Sequence, residues 1–132
     1  YVWRLIMTPI ETIKAFIAAW DEFDLEKIYS FMSDDIVWEN VPLSTAHGID
    51  QVRANMAGFA STKECKFETH HIAANGNVVM TERTDWFDIK DKRRSIRVMG
   101  IFELTSDGKI SKWRDYFDIA EFQREFGDLA EA

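Results

Sequence analysis

Cysteine is almost absent from this chain: Cys65 stands alone among 132 residues. A lone thiol makes no disulfide within the chain and no cysteine zinc site, which fits a reducing compartment and a cytoplasmic location. Cys65 opens a predicted strand with no base beside it in sequence, so it reads as structural, not as a nucleophile. Histidine is nearly as scarce. His47, His70 and His71 offer no His-x-x-x-His spacing, so no metal site is expected. As neighbours on a predicted strand, His70 and His71 are expected to point to opposite faces. There is no phosphate-binding glycine loop and no nucleophile elbow. No apolar run approaches the ~20 residues of a membrane span. The apolar start, Tyr1 to Ile6, is short and carries no signal-peptide pattern. Met7, directly ahead of a helix start, reads as the initiator, with residues 1–6 an upstream extension or an expression remnant. Positive charge is also in short supply: the net charge is −7. Phosphate contacts dominate nucleic-acid affinity, so an acidic chain without a basic stripe is a poor nucleic-acid binder. The nearest basic run, Lys90 to Arg94, is interrupted by Asp91 and reads as a hairpin tip.

What remains is a core-forming composition, 46% hydrophobic with ten Phe and five Trp, enough for one domain spanning residues 1–132. Thr8-Pro9-Ile10-Glu11 carries a capping box with proline at the first helical position. Ile10, Ile13, Phe16, Ile17 and Trp20 then recur at helical spacing. Asp24 caps a second predicted helix, Leu25 to Met32, ended by Ser33-Asp34-Asp35. Ile36 to Val41 reads as a strand closed by Pro42, with a loop through Gly48 and a helix from Ile49 to Phe59. The second half reads as strands. These are Lys66 to Ala74, a hairpin at Asn75-Gly76, Val78 to Ile89, Ser95 to Leu104 and Lys109 to Asp118, followed by a closing helix from Ile119 to Phe126. Helices segregated from an antiparallel meander predict an α+β fold. This order and length resemble the nuclear-transport-factor-2-like superfamily, whose curved, mostly antiparallel sheet wraps the N-terminal helices around an apolar pocket.

Strand alternation puts Thr81, Arg83, Asp85 and Phe87 on one face, Trp113, Asp115 and Phe117 on another, and Trp38 with Asn40 on a third. A carboxylate on an aromatic-rich face needs compensation, because burying a lone charge costs several kcal/mol or more. Arg83 is the candidate partner, since a guanidinium forks between carboxylates. Two carboxylates around one arginine divide acid and base roles when desolvation and mutual repulsion hold a proton on one of them. An exposed salt bridge is the bland reading of the same Arg-x-Asp spacing.

Thr81-Glu82-Arg83-Thr84-Asp85 and Trp113-Arg114-Asp115-Tyr116-Phe117-Asp118 resemble the two signature strands of limonene-1,2-epoxide hydrolases. Asn40-Val41-Pro42-Leu43 resembles that family's segment after the first strand. The resemblance implies a base at Asp115, thirty residues after Asp85, and an acid at Asp85. It also implies that Arg83 bridges the two carboxylates and that Asn40 holds the water. Attack would be a single step with no covalent ester and no metal or organic cofactor. The family's tyrosine falls at Trp38, an indole that donates but cannot accept a hydrogen bond. Trp38, Phe87, Val98, Phe102, Trp113 and Phe117 are the expected substrate-contacting walls, with Phe16, Trp20, Met32, Met56 and Phe59 as further candidates. An apolar pocket with few polar groups suits a terpene-like, cyclic or aryl epoxide. Met99 and Ile101 lie on the opposite sheet face, where apolar residues predict a partner; the superfamily resemblance implies that the partner is a second copy, a homodimer through that face. Two other readings stay open. One is a ketosteroid-isomerase-like or polyketide-cyclase-like proton-transfer enzyme, although the first strand offers Trp38 and Asn40 where the isomerase wants a carboxylate. The other is a non-catalytic small-molecule-binding module.

Overall fold

The computed structural model describes residues 7–131, so the reading of residues 1–6 falls outside the described residues. Helix α1 (Pro9–Glu22) starts as its sequence dictates. Thr8 Oγ1 accepts from the Glu11 N–H, and Glu11 Oε1 accepts from the Thr8 N–H at 2.8 Å. Its apolar stripe buries Ile13, Phe16, Ile17 and Trp20. Asp24 caps α2 (Leu25–Ser30), which is two residues shorter than predicted. Sheet pairing takes those residues: the Ile110 N–H donates to the Phe31 carbonyl at 2.8 Å, and Met32 pairs with Ile110. Strand β1 (Met32–Val41) therefore begins four residues earlier than its hydrophobic run, and the register shifts between Met32 and Val37.

The predicted loop before Gly48 holds a short edge strand, β2 (Ser44–His47), antiparallel to β1 with Asn40 opposite Ser44. Helix α3 (Ile49–Met56) tightens into a 3-10 turn at Ala57–Phe59. A meander of β3 (Thr62–Asn75), β4 (Val78–Ile89), β5 (Lys92–Leu104) and β6 (Ile110–Tyr116) follows. β6 stops short because Asp118 becomes the N-cap of α4 (Ile119–Phe126), accepting from the Glu121 N–H. The β3–β4 loop is Gly76-Asn77, one residue on from the predicted pair, with Gly76 at a φ of 61°. A register shift between Thr69 and His71 overturns the expectation for the histidines. His70 reaches Thr84 and His71 reaches Glu82, both on the same outer face of β4.

The six strands form one mixed sheet in the order β2-β1-β6-β5-β4-β3, and the fold is α+β. Every pairing is antiparallel except β1 with β6. That parallel pair produces two neighbouring rows across the sheet. One row runs Asn40, Asp115, Gly100, Thr81; the next runs Trp38, Trp113, Phe102, Val79.

β6 begins to pair with β5 only at Met99, which leaves the first half of β5 without a strand on that side. α4 fills the gap. Glu125 accepts from the Ser95 N–H at 3.0 Å and Glu121 from the Arg97 N–H at 2.7 Å. Four helical residues rise ~6 Å. Two strand residues rise ~6.6 Å, so carboxylates at this spacing match alternate N–H groups. The buried Arg94 extends the attachment, donating to the Glu125 carbonyl and to the Asp128 carboxylate.

Candidate active site

Thr81, Arg83, Asp85 and Phe87 are all buried on one face of β4, as alternation requires, with Glu82 exposed on the other. Arg83 is the centre of the polar cluster. Its Nε and Nη2 donate to the two oxygens of Asp85 at 3.0 and 2.9 Å, and Nη2 donates again to Asp115 Oδ2 at 2.9 Å. Its Nη1 donates to Thr81 Oγ1 at 2.8 Å. The Arg83 side chain is fully buried, and the Phe67 ring lies against its guanidinium. Asp115 Oδ1 accepts from the indole N–H of Trp113 at 2.7 Å.

One cation faces two anions here, out of water. Burial pushes Asp85 up to about 6 from an ordinary 3.8; Arg83 opposes the rise, and the Asp115 charge adds to it. Burial also works against the Arg83 charge, but the two carboxylates outweigh it and hold the guanidinium well above its ordinary range. A proton on one carboxyl leaves the cluster neutral, the cheapest state for a buried group of this kind. Cys65 lies near this cluster. Burial pushes its thiol well up, and Asp85 adds to the shift, so it is a poor nucleophile.

Asp85 and Asp115 open onto a cavity of about 580 Å³, together with Asn40 from β1. They are the only charged side chains among the described residues that line it. Trp38, Phe87, Val98, Trp113 and Phe117 line it as well. Arg83 lies behind the two carboxylates, not on the wall. Phe102 does not reach the wall either: it is 1% exposed, wedged between Phe16 and Trp113. Phe16, Met32 and Met56 are buried in the core and do not line it, whereas Trp20 and Phe59 do.

Sequence reasoning missed several contributors, among them Phe67, Ile89 and Ile96 on the wall, and two carry most weight. Phe122, Phe126 and Leu129 close one side of the cavity from α4 and the 3-10 turn after it (Gly127–Glu131). Their spacing on one helical face was the available signal. Gly100 is the second. A Cβ there would sit 2.3 Å from Arg83 Nη1 and 2.5 Å from Asp115 Oδ1, so the cluster needs a residue with no side chain at that point. A glycine inside an otherwise apolar strand marks such a close approach.

Residues 7–126 match the family model described as the limonene-1,2-epoxide hydrolase catalytic domain. The chain is 35% identical to the epoxide hydrolase EphG of Mycobacterium tuberculosis over 107 residues, 81% of this chain and 71% of that protein. A solved limonene-epoxide-hydrolase-like epoxide hydrolase from M. tuberculosis superposes with a TM-score of 0.77 at 31% identity, covering 93% of this chain and 95% of that one. An NTF2-like protein from Burkholderia pseudomallei superposes with a TM-score of 0.80 at 17% identity, over 91% and 98% of the two chains, a likeness of fold alone.

Proposed function

The chain belongs to the limonene-1,2-epoxide hydrolase family and is an epoxide hydrolase of that type; from this we propose that Asp85, Asp115, Arg83 and Asn40 open a small apolar epoxide in one step. The observation that carries the reading is a single arginine shared between two carboxylates at the edge of an apolar cavity. Asp115 takes a proton from water as the water oxygen bonds to an epoxide carbon. The carbon–oxygen bond at that carbon breaks, and Asp85 gives its proton to the departing oxygen. The product is a vicinal diol. Asp85 is left ionised and Asp115 protonated, and proton exchange with solvent resets the pair. The raised affinity of Asp85 for its proton suits it to the acid role near neutrality.

Each Asp85 oxygen has a second lone pair beyond the one Arg83 engages, so a proton and the arginine fork coexist. Asn40 is the register partner of Asp115 and lines the cavity, which supports its amide as the group that holds the water. Aromatic and aliphatic walls with few polar groups favour a terpene-like, cyclic or aryl epoxide. A second copy of the chain is the proposed partner of the outer sheet face, where Met80, Met99, Ile101 and Tyr116 come together.

The test is diol formation from limonene oxide, cyclohexene oxide and styrene oxide by the purified protein. Asp85→Asn and Asp115→Asn are each expected to lower kcat by about a hundredfold or more while the protein stays folded. Unimpaired turnover in either variant would remove that aspartate from the mechanism.

A further inference from the structure

A carboxylate that accepts a proton must be aimed as well as ionised. The terminal torsion of aspartate is broad, so a single hydrogen-bond partner leaves the carboxylate free to swing. Asp115 has a different donor on each oxygen: Arg83 on Oδ2 at 2.9 Å and the Trp113 indole on Oδ1 at 2.7 Å. The two donors come from different strands, so rotating the carboxylate breaks both bonds at once. An indole N–H only donates, so Asp115 Oδ1 is held as the acceptor of this bond.

Trp113 is itself held. Trp38 stacks on one side at 4.5 Å and an interplanar angle of 7°, and Phe102 on the other at 5.4 Å and 24°. Both are its register partners on the neighbouring strands, β1 and β5. Phe16 closes the assembly edge-on at 5.2 Å. The Trp38 Nε1 is buried and has no hydrogen-bond partner, so this side chain contributes a ring face and no polar contact.

We infer that Trp113 is a positioning residue for the reaction, its indole N–H aiming the Asp115 carboxylate at the cavity while the Trp38–Trp113–Phe102 stack fixes the indole. This rests on the reading of Asp115 as the base. The other titratable or charged groups near the cluster are Arg83 and Asp85 on β4, with Cys65 on β3 and Asp21 on α1 more distant. None of them donates to Oδ1. Trp113 therefore acts one step behind the chemistry, and the row Trp38, Trp113, Phe102 serves the adjacent row Asn40, Asp115, Gly100.

The experiment compares wild type, Trp113→Phe and Asp115→Asn in cyclohexene oxide hydrolysis across pH. Phenylalanine keeps an aromatic ring and removes the donor. One lost hydrogen bond to a charged group predicts a fall in kcat of about tenfold or more. KM should stay near the wild-type value, so that the loss falls on kcat. An unchanged kcat, beside an inactive Asp115→Asn, overturns the role of Trp113 and leaves the base assignment standing. An active Asp115→Asn removes the base, and this inference with it. The wild-type protein gives a measurement that does not depend on whether the variant folds. The Trp113 indole N–H proton signal should lie downfield of those of the buried, unpartnered Trp20 and Trp38 indoles, and a signal no further downfield overturns the inference.

Discussion

Gly100 shows how much of the site depends on an absent side chain. It sits between Thr81 and Asp115 in the row across the sheet, and the guanidinium of Arg83 passes over it. Gly100→Ala would press a methyl group into both Arg83 and Asp115, so one of them must move. The expected loss of stability is about 1–3 kcal/mol, measured by urea denaturation, with a larger proportional loss of kcat because both carboxylates hang on the displaced arginine. Full activity in Gly100→Ala would mean that the arginine has room the structure does not show. Asp85 carries a second consequence. Its proton affinity rises from an ordinary 3.8 to about 6 on folding, so folding takes up a proton. That contribution to stability is complete below about pH 4 and is lost as pH rises through about 6. Asp85→Asn removes it, so the stability of the variant relative to wild type should improve between pH 4 and 7, whatever its absolute value. The same titration predicts that kcat/KM falls as pH rises through the region of 6, where the acid loses its proton. A flat profile from pH 5 to 8 would take Asp85 out of the acid role.

At the scale of elements, α4 replaces the strand that β5 lacks. Glu121 and Glu125 take the N–H groups of Arg97 and Ser95, and Phe122 and Phe126 beside them face the cavity. Burying the helix and closing the cavity are thus one event. Glu125→Ala leaves the Ser95 N–H without its acceptor and should cost about 1–2 kcal/mol. KM for a compact epoxide should rise as the wall loosens, while kcat at saturation changes less. Equal KM in variant and wild type would show that α4 stays seated without this contact. The strand faces of β4 and β6 were legible in the sequence because period-two alternation needs no tertiary information, and Arg83, Asp85 and Asp115 follow from it. The capping box of α1, the Asp24 cap of α2 and the order of helices were legible for the same local reason. β2 was not, since four residues after a proline carry little pattern and become a strand only by pairing with β1. The end of α2 and the start of β1 were misplaced because the contact of Ile110 with Phe31 spans most of the chain. The part of Phe102 behind Trp113 was hidden too, because alternation gives a face but not the depth at which a side chain lies.

On the scale of the molecule, the sheet has an inner face that carries the buried polar cluster and an outer face that carries exposed apolar groups. The outer positions of β4, β5 and β6 bring Met80 opposite Ile101, and Met99 opposite Tyr116. Met80, Met99 and Tyr116 are 41%, 51% and 47% exposed, a cluster of large apolar groups completed by the half-buried Ile101. The charged residues around the patch are largely paired within the chain: Arg114 holds Glu103 at 2.9 Å, and Glu82 accepts from His71. They are not left facing a partner as bare charges. An apolar centre with a self-satisfied polar rim is what a two-fold interface between identical copies needs, because each group must meet itself or its neighbour without unpaired charge. Met99→Asp places a carboxylate at the centre of such a contact, opposed by its own image. The wild-type protein is expected to sediment as a dimer at micromolar concentration and the variant as a monomer with unchanged circular dichroism. The Arg83, Asp85 and Asp115 cluster lies on the other side of the sheet, so a monomeric variant should keep its pH profile. Monomeric wild type at the same concentration would end the dimer proposal. A variant whose pH profile shifted as the dimer dissociated would show that the two faces are coupled through β5, whose Gly100 contacts the cluster one residue from Met99.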